Sequence, residues 1–484
     1  IFRGNLCEIT ISEMFEENVL LIFRESYQGL KLTDTTGRLR IMKIALVYSA
    51  IDPAGLTIRD NLRAKLSVGP QDAGPFQWGD HALFFHEAPG RLIHEDGLDS
   101  ACDADLILFI SRHTSQNPFP ALTVHVTGNY RDAALGGSPK TLSQAAPSWM
   151  HAILRGLAVN APDGYRVSYE VTHHGPTDLQ TPSCFVEIGS TETEWTDNEA
   201  GEAVADSILE AIASGTGETI PLIGFGGNHY AARETAIALA SRGAFGHIAH
   251  TRETGELDLA MIRQMAEKTG AVAAYIDKKA LPKEITRGLV EYITGLGLPL
   301  ISEGEITRLG DLSWETWLAV REVAEETCPG GSVSIGNLQG HGVPVCFTIP
   351  PDLLEMALRM DHETFERRAG RLPLATIMNS QGSNSSVFIT YDPYRSQMIH
   401  DLISLCVKII TSDPSVAVRN DDLVIRRKRF DPKKAVALAI PKGPLFGKLA
   451  AGHSVTVDGK EITPADVSAT ETTVICVPGL ERYL

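Results

Sequence analysis

The residues best suited to chemistry in this chain are histidines, and they are unevenly placed. Of fifteen, eight fall between 113 and 250, among them His113, His125, His173, His174, His229, His247 and His250. Imidazoles bind metal ions and carry protons near neutral pH. Tyr169-Glu-Val-Thr-His-His-Gly-Pro-Thr177 sets two of them side by side on a turn. Both can point inward only if the backbone bends, and Gly175-Pro176 supplies a bend. Neutral imidazoles suit zinc, and a carboxylate such as Glu187 can be a ligand or a general base. Glu187 lies in the apolar run Cys184-Phe-Val-Glu-Ile188. A carboxylate there is costly without a partner. A site role is favoured over pairing with a buried arginine.

Three further stretches are dense in polar groups. Ser111-Arg-His-Thr-Ser-Gln-Asn-Pro-Phe-Pro120 is followed by Leu122-Thr-Val-His-Val-Thr-Gly-Asn129. There the Arg112 fork could clamp a phosphate or carboxylate; a plain turn is the even alternative. Gly224-Phe-Gly-Gly-Asn-His-Tyr230 lets backbone approach an anion. It has His229 where a dinucleotide fingerprint needs glycine, and no Walker lysine follows. Gly246-His-Ile-Ala-His250 adds an i, i+3 pair that means little alone. HExxH and GxSxG are absent, so thermolysin-like protease and α/β-hydrolase chemistry are not indicated.

The elements that must position these residues alternate. Apolar runs at Asp105–Ser111, Ala121–Val126, Arg166–Thr172, Cys184–Ile188, Ile220–Phe225 and Ala271–Ile276 read as strands. Met150, Ile153, Leu154 and Leu157 recur at helical spacing, as do Val204, Ile208, Ala211 and Ile212. Alternation of this kind predicts a layered α/β fold with a mostly parallel sheet, ligands gathering at the carboxyl ends of strands. Met42 precedes the first buried strand, Lys43–Ser49, so 1–41 is expected to be a poorly ordered N-terminal extension. The catalytic domain is expected over 42–310 and a smaller α+β domain over 311–484.

The chain has 484 residues, ample for a large core, and a net charge of −17. That charge excludes a surface built wholly to grip nucleic acid. Between Val424 and Lys448, however, eight basic residues face Asp431 alone, which predicts contact with a polyanion backbone. No apolar run approaches a membrane span, and no secretory leader pattern is seen. Seven scattered cysteines without a CxxC exclude a ribbon-type zinc site and fit reduced, cytoplasmic thiols.

Together Ser111–Asn129, Tyr169–Thr177, Phe185-Val-Glu-Ile-Gly-Ser190 and Gly226-Gly-Asn-His-Tyr230 resemble the D-aminoacyl-tRNA deacylases of the archaeal and plant type. The resemblance runs from about Met42 to about 305. It implies a three-layer α/β/α fold with a central mixed sheet, like peptidyl-tRNA hydrolase and the phosphorylase/hydrolase-like proteins. It also implies Zn2+, a cytoplasmic setting, and hydrolysis of the ester that joins a D-amino acid to tRNA. Gly443–Leu449 with Val455–Lys460 is similar to a segment of the zinc ribonuclease that trims tRNA 3′ ends, without that enzyme's metal motif.

On this reading His173, His174, His229 and His247 are the expected metal ligands. His113, Glu170, Glu187 and His174 are the catalytic candidates. Arg112 and His113 are expected to hold the terminal adenosine or its phosphate, with Asn129 beside them. The Gly226 and Gly227 amides face an oxyanion or phosphate, and Arg426, Arg427 and Arg429 meet tRNA. The chain is expected to act as a monomer. A zinc amidohydrolase or peptidase of the same fold, and a non-catalytic tRNA-binding protein, are the alternatives.

Overall fold

The computed structural model describes residues 41–338, 342–378, 384–457 and 459–484. The expected extension, apart from Ile41, lies outside the described residues. The chain divides between Gly310 and Asp311 into two units.

The first unit is built on a seven-stranded sheet in the order β2-β3-β1-β4-β9-β5-β8. Its strands are β1 Lys43–Ser49, β2 Phe76–Trp78, β3 His81–Ala88, β4 Leu106–Arg112, β5 Ala121–His125, β8 Arg166–Tyr169 and β9 Ser183–Gly189. The short strands β6 Gly128–Asn129 and β7 Thr141–Leu142 form a separate hairpin. The central strands are buried along nearly their whole length, which explains their continuous apolar runs. The sheet is mixed, with four of its six pairings parallel as expected: β9 is parallel to β4 but antiparallel to β5, and β2 is antiparallel to β3. Strands β10 Ile220–Phe225, β11 Gly243–Ala249 and β12 Ala273–Ile276 form a second, parallel sheet.

The segment after β8 ties the two sheets together. The Glu170 amide donates to Val124 O, that of Val171 to His229 O and that of Thr172 to Ile248 O. Helix Pro53–Leu66 is capped by Asp52, whose Oδ1 accepts the Gly55 amide. Its Oδ2 accepts the Arg112 amide, so the cap also fixes the end of β4.

The second unit is α+β. A four-stranded antiparallel sheet joins β13 Ser332–Ile335, β14 Pro344–Thr348, β15 Ala375–Met378 and β16 Asn384–Tyr391. Helices Pro351–Ala369 and Arg395–Thr411 bury Leu353, Ala357, Leu402 and Cys406 in one cluster with Leu423 and Ile425. The latter two belong to a three-stranded sheet of β17 Val416–Arg419, β18 Asp422–Phe430 and β19 Ser468–Cys476. Among the described residues no helix is long and apolar enough to cross a membrane.

Candidate metal centre

Strand alternation lays out the floor of the site. Glu187 on β9 stands opposite Ser111 on β4 and Thr123 on β5, so the three share one sheet face. One step along, Phe109, Phe185 and His125 form a parallel row on that face, with ring centroids 4.4 and 5.3 Å apart. One step the other way lie Gly189 and, just past the end of β4, His113. The His113 amide donates to Ile188 O at 2.9 Å. The side chain of His113 lies across Gly189; a Cβ there would come within 2.7 Å of the imidazole's Cδ2. Because β4 and β5 run in opposite senses, His113 and His125 converge over β9 from two edges. The site therefore sits on a face of the sheet and not along one rim.

Three imidazoles share one wiring. Nδ1 of His125 donates to Val126 O, that of His173 to Val171 O and that of His174 to Gly175 O, at 3.2, 2.7 and 2.8 Å. Each bond fixes the tautomer and leaves Nε2 as a bare lone pair. One ring nitrogen from each histidine lies within 4.8 Å of the others, the spacing a metal ion needs. The predicted bend exists, and part of it is His174 itself at φ 47°. Gly175 packs against Gly136 and Gly137 so closely that a Cβ would lie 2.5 Å from the Gly137 amide.

A second group adjoins the first. Glu170 Oε1 is 3.0 Å from His113 Nδ1, and Oε2 is 2.7 Å from His229 Nε2 and 3.5 Å from His173 Nε2. Glu187 Oε1 accepts the Ser111 hydroxyl at 2.6 Å, and its Oε2 is 3.7 Å from both His113 and His125. The buried carboxylate is thus partnered by a hydroxyl and imidazoles, not by arginine. Burial opposes ionisation of Glu187 and Glu170, but the facing histidines hold both below the usual carboxylate range. Burial also opposes charge on His113, yet the two carboxylates outweigh it and push this imidazole up to about 11. Burial and its histidine neighbours drive His173 down, and burial with His125 takes His174 to about 4. His125 is opposed by burial but raised by Glu187, so the neutral lone-pair donors are His173 and His174, set beside ionised carboxylates, a donor mix a divalent cation takes. His125 Nε2 is buried without a hydrogen bond, an orphaned lone pair of the kind a cation would take.

Several expectations need correction. His247 is outside the cluster: its Nδ1 meets the Thr172 hydroxyl and its Nε2 donates to Ser143 O, so both nitrogens are engaged in holding β11. The Asn129 amide clamps the following loop through Gly136 O and Ser138 O. The Gly226 amide donates to Ala249 O and cannot face an oxyanion. His113 is buried within the carboxylate network, too deep to hold an adenosine. Arg426 does not share a face with Arg427 and Arg429. Those two follow the buried side of Leu423 and Ile425 and are met by Asp413 and Glu471. Arg426 and Lys428 point to the other side, opposite Thr472 and Thr470. The residue overlooked is His125. Its signal was the alternation Thr123, His125 in a strand otherwise apolar.

Fold and cluster define a class: an α/β protein whose buried imidazoles and carboxylates are set to receive a divalent cation. Residues 100–301 match the family described as D-aminoacyl-tRNA deacylase. A D-aminoacyl-tRNA deacylase of Methanoculleus marisnigri is 50% identical over 445 residues, covering 92% of this chain and 100% of the relative. Those of Methanoregula boonei and Methanosphaerula palustris are 48% and 45% identical, each over 91% of this chain and 100% of the relative. The crystal structure of AF0625, a conserved protein of unknown function, is similar at a TM-score of 0.51 and 32% identity, covering 55% of this chain and 97% of that one. The chain belongs to the D-aminoacyl-tRNA deacylase family.

Proposed function

We propose that the protein hydrolyses the ester of D-aminoacyl-tRNA, releasing the D-amino acid and tRNA, and that the ion at its centre is zinc. Family membership across the full length of the relatives names the substrate class. The observation that carries the chemistry is the convergence of three backbone-tethered histidines beside two ionised carboxylates. His125, His173 and His174 would hold the ion, with Glu170, Glu187, His113 and His229 adjoining it. The chemistry zinc supplies at such a site is activation of water at neutral pH and polarisation of a carbonyl.

The chain's own groups do the rest. Glu170, ionised and within 3.5 Å of three imidazoles, is the base that takes a proton from the attacking water and passes it to His229, 2.7 Å away. Ser111 keeps Glu187 oriented, and Glu187 holds His113 and His125 in place. His113 Nε2 lies 3.0 Å from the Tyr230 hydroxyl, which fixes the loop carrying His229. Arg112 stands at the mouth with its guanidinium over the Trp195 ring.

The reading extends to the whole chain. The mixed sheet with flanking helices supports the three-layer, phosphorylase/hydrolase-like arrangement. The exposed basic end of β18 supports a tRNA contact by the second unit, and the tRNA substrate supports a cytoplasmic setting. A non-catalytic tRNA binder would leave His125 Nε2 buried and unmet, a cost of about 1–3 kcal/mol. The test is hydrolysis of paired D- and L-tyrosyl-tRNA with and without chelator. D-selective release that chelator abolishes and zinc restores is expected. Chelator-insensitive release, or none from the D-ester after zinc loading, refutes the proposal.

A further inference from the structure

Outside the cation cluster the mouth of the site carries an aromatic arrangement that the chemistry above does not use. Phe119, in the loop before β5, and Tyr230, in the loop after β10, are both half-buried. Their ring centroids are 4.9 Å apart at an interplanar angle of 55°. Tyr230 is anchored at the inner end by its hydroxyl on His113 and at its backbone by Asn228, whose Oδ1 accepts the Tyr230 amide at 3.1 Å. Phe119 is anchored by its carbonyl, which accepts the Ser190 hydroxyl at 2.9 Å. The pair therefore stands at a fixed distance from the reacting centre.

Two cations flank these rings. The Arg166 guanidinium lies 4.5 Å from the Phe119 centroid, and that of Arg112 lies 5.2 Å from the Trp195 centroid. Trp195 belongs to the same mouth, since its Nε1 donates to His113 O at 2.9 Å. Among the described residues, neither guanidinium has a carboxylate within ion-pair distance. In a chain of net charge −17, two arginines beside aromatic rings with no direct ion pair, Arg112 sensing only the buried Asp52 carboxylate on its own amide, mark a place for a flat, anionic ligand.

We infer that Phe119 and Tyr230 form the stacking platform for the terminal adenine of the substrate, with Arg112 and Arg166 facing its phosphate. The inference rests on the deacylase reading and deepens it. Adenine is favoured over the amino-acid side chain because the 3′ nucleotide is common to all charged tRNAs and carries the negative charge the arginines lack. Stacking is tolerant of the base's edges, so no hydrogen-bond code is needed here. The platform also accounts for Arg112 without asking buried His113 to touch the nucleoside.

The experiment compares zinc-loaded full-length wild type with Phe119→Leu on two substrates, 2′(3′)-O-D-tyrosyl-adenosine and D-tyrosine methyl ester. Wild type should prefer the adenosine ester. Phe119→Leu should shrink that preference, as a ratio of kcat/KM values, by about tenfold, mostly through KM. An unchanged ratio overturns the platform. So does a loss of the same size on both esters, which would assign Phe119 to the amino-acid side chain. Calorimetric binding of adenosine 5′-monophosphate keeps two failures apart. If neither ester is hydrolysed but wild type binds the nucleotide about tenfold better than Phe119→Leu, the deacylase reading falls and the platform stands. Equal binding by both proteins removes the platform whatever the activity.

Discussion

Gly189→Ala is a demanding test of the sheet-face geometry. Gly189 lies under His113, and an added Cβ would be 2.7 Å from its Cβ and Cδ2 and 3.0 Å from its Cγ. Ordinary carbon contacts begin near ~3.5 Å, so the imidazole must retreat by about 1 Å. Retreat lengthens its 3.0 Å approach to Glu170 and its 3.0 Å approach to the Tyr230 hydroxyl. A misplacement of about 1 Å costs on the order of 100-fold in rate, or about 2.7 kcal/mol of activation free energy. Overpacking should cost stability by about 1–3 kcal/mol, which a domain of this size survives. The assay is kcat for D-tyrosyl-tRNA, with zinc content and thermal melting measured on the same sample. Gly288→Ala, where an added Cβ meets nothing within 4 Å, is the control and should match wild type. A folded, zinc-loaded Gly189→Ala protein with kcat within twofold of wild type would refute the account of how His113 is held.

Other expectations follow from the same structure. His125→Ala should reduce zinc affinity by at least about 100-fold, while His247→Ala should leave zinc bound and lower only the melting temperature, as metal analysis and melting will show. Glu234 is buried without a hydrogen bond, and burial pushes its carboxyl up to about 7. The folded protein therefore holds a proton that the unfolded chain, titrating at 4.5, releases. Stability should fall as pH rises from about 4.5 through about 7, by at most ~3 kcal/mol, and Glu234→Gln should flatten that slope in urea titrations. Arg426→Glu with Lys428→Glu should weaken uncharged tRNA binding and lower its salt dependence. Arg427→Glu with Arg429→Glu, which alters residues already facing acids, should do so much less.

How much of this was legible in the sequence differs by residue. His173 and His174 declared themselves by adjacency on a turn, and Glu187 by its cost in an apolar strand. His125 was hidden because one histidine in a buried strand reads as packing, although its period-2 relation to Thr123 put two polar groups on one face. His247 misled for the opposite reason. A histidine near the end of a strand can pass for a ligand until the partners of both its ring nitrogens are known. Strand identity came from local patterns, but the direction of β9 relative to β5 depends on pairing between distant segments and has no local signal. That reversal is what moves the site from the rim to the face. The division of Arg426 from Arg427 and Arg429 was implicit in strand alternation, which becomes decisive only once β18 is known to be one uninterrupted strand.

The X-ray absorption spectrum of the zinc-loaded, full-length protein tests the central claim most directly. The account predicts a shell of nitrogen and oxygen at about 2.0–2.1 Å, with the outer scattering of imidazoles that His125→Ala reduces. Sulfur at about 2.3 Å, or a spectrum that His125→Ala leaves unchanged, would contradict it.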